Sequence, residues 1–185
     1  GFLALAVAEN LGSAVYVGQA DGSGMKKVSA TDVATHPAFS PSGKLAWIGG
    51  GDKNQGQRVY LDGKAVSPAG FSAAAPTFCD TEQGVRWVYA VAVGGGAQDL
   101  VITDEKGGNM ARVTQGQGSN TYPACSPDGR LLGYFSERKD KAQNGLYIKS
   151  LKSGRAQKIS TQVGESLRWA ALPPAAPQEM AATKD

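Results

Sequence analysis

Pro123-Ala124-Cys125-Ser126-Pro127-Asp128-Gly129-Arg130 is the stretch that decides the fold, because it recurs. Pro37-Ala38-Phe39-Ser40-Pro41-Ser42-Gly43 is a near copy, and Pro76-Thr77-Phe78-Cys79-Asp80 is a looser one. Each sets a proline, a small residue and an aromatic residue or cysteine before a turn. Each then leads into an apolar run, at Leu45 to Ile48, Val85 to Val91 and Leu131 to Phe135. Short apolar runs bounded by Gly, Pro, Asp or Ser read as β-strands, and a period of roughly 40 residues signals a repeat architecture.

A second marker keeps the same phase. A β-branched residue followed by Ser or Thr stands at Val28-Ser29, Val66-Ser67, Val113-Thr114 and Ile159-Ser160. Between the markers a further strand meets a tight turn. Examples are Val15-Tyr16-Val17 before Asp21-Gly22-Ser23-Gly24, Leu100-Val101-Ile102 before Glu105-Lys106-Gly107-Gly108, and Leu146-Tyr147-Ile148 before Lys152-Ser153-Gly154. Arg58-Val59-Tyr60-Leu61 before Asp62-Gly63 is a shortened copy. Glycine in such turns supplies the positive φ that hairpins need. Each unit therefore reads as four short antiparallel strands, one propeller blade, and the fold class is all-β.

Ser126-Pro127-Asp128-Gly129-Arg130, and Ala20-Asp21-Gly22-Ser23-Gly24 ahead of a basic pair and Val28-Ser29, resemble the repeats of TolB-type propellers over roughly residues 1 to 172. Ser42 replaces the turn aspartate in one unit, and Asp80 to Gly84 departs from the motif in another. The resemblance implies a β-propeller. For the family's namesake it also implies a periplasmic role in an envelope complex, with a peptidoglycan-associated lipoprotein as partner. Propellers of this class more often have six or more blades than four.

Strand counting predicts four blades. Residues 1 to 30 hold three strands without an innermost one, three complete units follow at about 32–70, 71–118 and 119–162, and Gly164 to Leu172 reads as a lone innermost strand. Trp169 falls there at the position of Phe39, Phe78 and Cys125. The expectation is that Gly164 to Leu172 lies beside Leu3 to Val7, so that the two ends share one blade and no sheet edge stays open. A fragment, or an open arc that pairs with a second chain, is the alternative. Residues 173–185, rich in Pro and Ala, read as a flexible tail outside the propeller domain 1–172.

Composition agrees with a turn-rich folded chain: 25 glycines, 9 prolines and 41% apolar residues exclude a disordered polymer. Net charge is +3, and the densest basic stretch, Arg138-Lys139-Asp140-Lys141, is broken by an acid, so no nucleic-acid partner is expected. The longest apolar run, Phe2 to Ala8, is far short of the ~20 residues a membrane span takes. The missing initiator methionine reads as a processed chain or an excised fragment.

Candidate chemistry is thin. His36 is the single histidine and would have to serve as the base of any Ser-His-Asp triad, yet no Gly-x-Ser-x-Gly elbow accompanies it. The Ser126-Pro127-Asp128-Gly129 turn misses the sialidase aspartate-box spacing by one residue. One histidine and two distant cysteines cannot build a zinc site, and Asp99, Asp104 and Glu105 read as a solvated hairpin. No metal or cofactor is expected. The aromatics Phe39, Trp47, Phe78, Trp87, Tyr134, Phe135 and Trp169 read mostly as packing between blades.

Cys79 and Cys125 sit one position apart when their strands are aligned on Pro76 and Pro123, so they face opposite ways. In facing sheets that offset aims the sulfurs either together or apart. Buried thiols are the simpler expectation, because a disulfide demands a close Cα separation.

The function that the resemblance implies is a non-enzymatic binding module of the bacterial envelope, periplasmic or extracellular, that takes a protein partner, with an envelope lipoprotein as the candidate, at its channel mouth or rim. The residues flanking the innermost strands are the candidate contacts: Thr35, His36, Ala74, Ala75, Asn120, Thr121, Tyr122 and Glu165. The alternatives are the gating propeller of a prolyl-oligopeptidase-like hydrolase and a structural subunit that assembles edge to edge.

Overall fold

The computed structural model describes residues 1–31, 33–50, 56–116 and 118–170. The fold is all-β, with a single 3-10 turn at Lys141–Gln143 as its one helical piece among those residues. An incomplete unit opens the chain, with β1 (Phe2–Glu9), β2 (Gly12–Gln19) and β3 (Lys26–Lys27). Three four-strand units follow. The second unit comprises β4 (Val33–Phe39), β5 (Leu45–Gly50), β6 (Arg58–Leu61) and β7 (Lys64–Ala65). The third comprises β8 (Ala73–Thr81), β9 (Gly84–Gly94), β10 (Ala97–Asp104) and β11 (Ala111–Arg112). The fourth comprises β12 (Ser119–Cys125), β13 (Leu131–Glu137), β14 (Gly145–Ser150) and β15 (Ala156–Ser160). Within a unit every strand pairs antiparallel with the next. Single parallel contacts, Ser13 with Val33 and Gln98 with Ser119, join the units in pairs into two mixed sheets.

The Ser/Thr marker has a structural cause. The outermost strand is only two residues long in the first three units, so the ladder runs out beside it. The hydroxyl of Ser29, Ser67 or Thr114 then accepts from the backbone N–H of Val15, Val59 or Leu100 at 2.8–3.0 Å, in place of a missing carbonyl.

Units stack face to face through three apolar clusters. Val15, Ala34, Leu45 and Trp47 join the first unit to the second. Ala46, Ile48, Val59 and Leu61 of the second meet Trp87, Tyr89 and Val91 of the third. Val88, Ala90 and Leu100 of the third meet Leu132, Tyr134 and Tyr147 of the fourth. Alternation along each central strand thus feeds both neighbours, which is why these strands are apolar on both sides. The last interface also carries a disulfide, Cys79–Cys125, with Cα atoms 5.3 Å apart. The offset between the two cysteines aims the sulfurs together, and the expectation of free thiols gives way.

The expected sharing of one blade by the two chain ends is not formed. β1 pairs with β2 alone, and residues 161–170 carry no strand. Leu167 and Trp169 instead lie against Gly133, and the Trp169 indole donates to the Ala124 carbonyl at 2.8 Å. The segment therefore packs on the fourth unit. Residues 171–185, including Leu172 and the tail 173–185, lie outside the described residues.

Candidate functional site

The innermost strands β4, β8 and β12 share one irregularity. Their pairing with the next strand slips by one residue, between Thr35 and Ala38, Ala74 and Thr77, and Thr121 and Ala124. Each slip is a β-bulge, and within it His36, Ala75 and Tyr122 adopt left-handed backbone, with φ of 53°, 47° and 49°. Ser166 shares the left-handed backbone, at φ 55°, within a segment, residues 164–170, that carries no strand. Side chains there leave the regular alternation and turn toward a common space.

That space is a groove of about 470 Å³. Its walls are His36 to Phe39, Ala75 to Phe78 with Asp80, Tyr122 to Pro127, and Ser166, Arg168 and Trp169. Four prolines and the rings of Phe39, Phe78, Tyr122 and Trp169 make it mostly apolar, while His36, Asp80 and Arg168 set charge or polarity at its margin. The His36 Nδ1 lies 3.0 Å from the Thr35 hydroxyl, and the Arg168 guanidinium donates to the Leu167 carbonyl at 2.8 Å. The floor ends in the Ser126 turn. The Ser126 hydroxyl donates to Asp128 at 2.5 Å and accepts from the Leu131 N–H. That bond, with the Arg130 N–H beside it, holds the Asp128 carboxyl below the usual carboxylate range.

Of the residues expected at the mouth, the structure brings His36, Ala75 and Tyr122 into the groove wall. Thr35, Ala74 and Thr121 are their neighbours one position earlier, on the regular part of each strand. Glu165 is exposed beside Ser166. Asn120 is buried and donates to the Gln98 carbonyl at 3.2 Å and toward Asp99. Asp99 is fully buried rather than part of a solvated hairpin. It accepts from the Thr114 hydroxyl and the Gly116 N–H, with Arg112 at 3.7 Å, and so ties β10 to the residues that follow β11. Asp104 instead caps its own turn through the N–H groups of Gly108 and Lys106, which lower its pKa. Arg168, Phe39, Phe78 and Trp169 line the groove without having been among the expected contacts. The alignment of Trp169 with Phe39, Phe78 and Cys125 was the signal that places that segment here. Among the described residues no group of three His, Cys, Asp or Glu side chains converges as a metal site would require.

No family model matches the sequence. A 62-residue stretch is 37% identical to the uncharacterized peptidase YuxL of Bacillus subtilis, covering 34% of this chain and 9% of that protein. In structure the chain is similar to TolB from Acinetobacter baumannii, with a TM-score of 0.71 at 16% identity, over 91% of this chain and 43% of that one. It is also similar to a putative TolB from Agrobacterium tumefaciens, with a TM-score of 0.70 at 15% identity, over 85% of this chain and 60% of that one. The chain therefore spans less than two thirds of each of these proteins. Its repeated four-strand units, stacked face to face around innermost strands that line a groove, give it a TolB-like β-propeller fold.

Proposed function

We propose that the chain is a non-enzymatic binding module of the bacterial cell envelope, and that a protein partner, with an envelope lipoprotein as first candidate, seats in the groove or on its rim. The observation that carries this reading is the convergence of His36, Ala75, Tyr122 and Ser166, each held in left-handed backbone, on one apolar groove. Strained backbone of this kind, repeated in phase, concentrates at recognition sites. The TolB-like fold supports a protein as the partner, and the Cys79–Cys125 disulfide supports an oxidising compartment, periplasmic or extracellular. Affinity capture with the purified chain from an envelope extract tests it. The expected result is one lipoprotein, lost with Tyr122→Asn and Arg168→Ala. Capture that is indifferent to both substitutions would overturn the groove as the site.

The YuxL match favours a second reading, the propeller part of a peptidase whose catalytic domain is separate from these residues. A serine-hydrolase activity probe applied to the protein purified from its native source distinguishes the two. Labelling of a polypeptide that contains this propeller supports the peptidase.

A further inference from the structure

Charge is spread unevenly along the chain. Residues 119–162, the span of the fourth unit, carry eight Lys and Arg against three Asp and Glu, whereas the rest of the chain carries eleven against thirteen. Six of the eight cations, Lys139, Lys141, Lys149, Lys152, Arg155 and Lys158, stand on β14, β15 and the two turns that bound β14.

The fold gathers what the sequence separates. Lys158 pairs across the sheet with Tyr147, so its side chain and that of Lys149 share the Tyr147 face. There the Lys158 amine donates to the Ala142 carbonyl at 2.6 Å, which brings it to the turn of Lys139 and Lys141. The Lys149 amine donates to the Gly154 carbonyl at 2.7 Å, beside Lys152 and Arg155. The six residues of β14, about 20 Å of strand, separate the two ends of this basic stripe. None of the six cations forms an ion pair with a carboxylate among the described residues. The unit's own acids are engaged or set apart: Asp140 caps the 3-10 turn through the Ala142 N–H, Asp128 is held by Ser126, and Glu137 ends β13 opposite Ser119.

β15 is the outermost strand of its blade, so the stripe lies on the rim, and none of the six residues lines the groove. The face that carries Lys149 and Lys158 is the one whose Tyr147 packs on the third unit, so its neighbouring blade is in place.

We infer that this rim is a docking surface for an anionic phospholipid bilayer, met through the headgroup phosphates. Five of the six cations are lysine, a compact hydrated point charge that suits a fluid field of phosphates, whereas recognition of a protein's carboxylates favours the planar fork of arginine. The charges are strung along an exposed edge and not gathered around a cleft, which suits a surface more than a defined chain. A nucleic acid is the other polyphosphate, but the Cys79–Cys125 disulfide belongs to an oxidising compartment.

Co-sedimentation of the purified chain with phosphatidylcholine vesicles, with and without about one third phosphatidylglycerol, is the test. Binding to the anionic vesicles should be about tenfold or more stronger than to the neutral ones, and should fall by about tenfold when salt rises from about 0.1 M to about 0.5 M. Lys141→Glu with Arg155→Glu should weaken it by about tenfold or more, because each cation near such a surface raises affinity about fivefold. Lys64→Glu with Lys106→Glu makes the same change in net charge on other units and should leave binding within about twofold, because charges beyond the screening length contribute little. Lys141→Gln with Arg155→Gln serves should the reversal disturb the fold by far-ultraviolet spectrum. No preference for anionic vesicles, equal losses from the two pairs of reversals, or tighter binding to polyglutamate or duplex DNA at equal negative charge would overturn the inference.

Discussion

At the scale of the residue, Gly43 and Gly129 hold the same place in two turns, with φ of 83° and 66°, yet their surroundings differ. A Cβ at Gly43 meets open space, whereas at Gly129 it would overlap the Asp80 carbonyl and crowd Thr81. Gly43→Ala should cost about 1 kcal/mol, from backbone strain alone. Gly129→Ala should cost more, because the end of β8 must also move, and paired urea titrations read the difference. The disulfide is a second residue-scale case. Cys79 and Cys125 are 46 residues apart, so Cys79→Ala with Cys125→Ala should remove about 2–4 kcal/mol, and the denatured, unreduced wild type should show no titratable thiol. The sequence showed that the two cysteines face opposite ways. It could not show which face of each blade meets the other, because that depends on how two separate sheets stack.

At the scale of the element, residues 164–170 cover the fourth blade and do not close a ring. Deleting residues 163–185 should therefore remove the Trp169 bond to Ala124 and the Leu167 packing on Gly133. A loss of about 2 kcal/mol, or roughly 4–8 °C in Tm, is expected by calorimetry, with hydrogen exchange in β1 unaltered. Increased exchange in β1 would instead mean that the deleted residues also reach it. The strands themselves were legible, since short apolar runs and the Ser/Thr marker follow from local chemistry. The bulges were not. The residue before a proline is biased toward extended backbone, and nothing in His36, Ala75 or Tyr122 as residue types announces a positive φ. Asp99 was equally hidden, because its carboxylate is buried by partners at Thr114 and Asn120 that only the folded blade brings near.

At the scale of the whole molecule, stability rests on the three interfaces between units, and two of them bury a tyrosine whose phenol is raised. Tyr89 is fully buried between the second and third blades, and desolvation pushes its phenol up to about 12, against a smaller opposing pull from Arg58. The unfolded chain ionises near the ordinary value of 10, so the folded state is not penalised below that pH and loses stability as pH rises from 10 toward 12. The loss should reach about 2–3 kcal/mol. Tyr89→Phe should flatten that part of the alkaline curve in urea titrations at a series of pH values, while the far-ultraviolet spectrum stays that of an all-β protein. Burial also raises the Tyr134 phenol at the next interface, so a residual slope should remain in the variant.

The left-handed positions of the groove separate shape from identity. Each of the three bulges is held by its neighbours in the ladder and by the proline that follows, and Ser166 keeps the same backbone outside any ladder, so the side chain at the turn itself carries little of the fold. Histidine, alanine, tyrosine and serine already occupy the four equivalent places. Such a wall is a set of interchangeable letters on a fixed line. Asparagine or glycine at any of them should relieve strain, and other side chains should alter what the groove accepts before they alter whether the propeller forms.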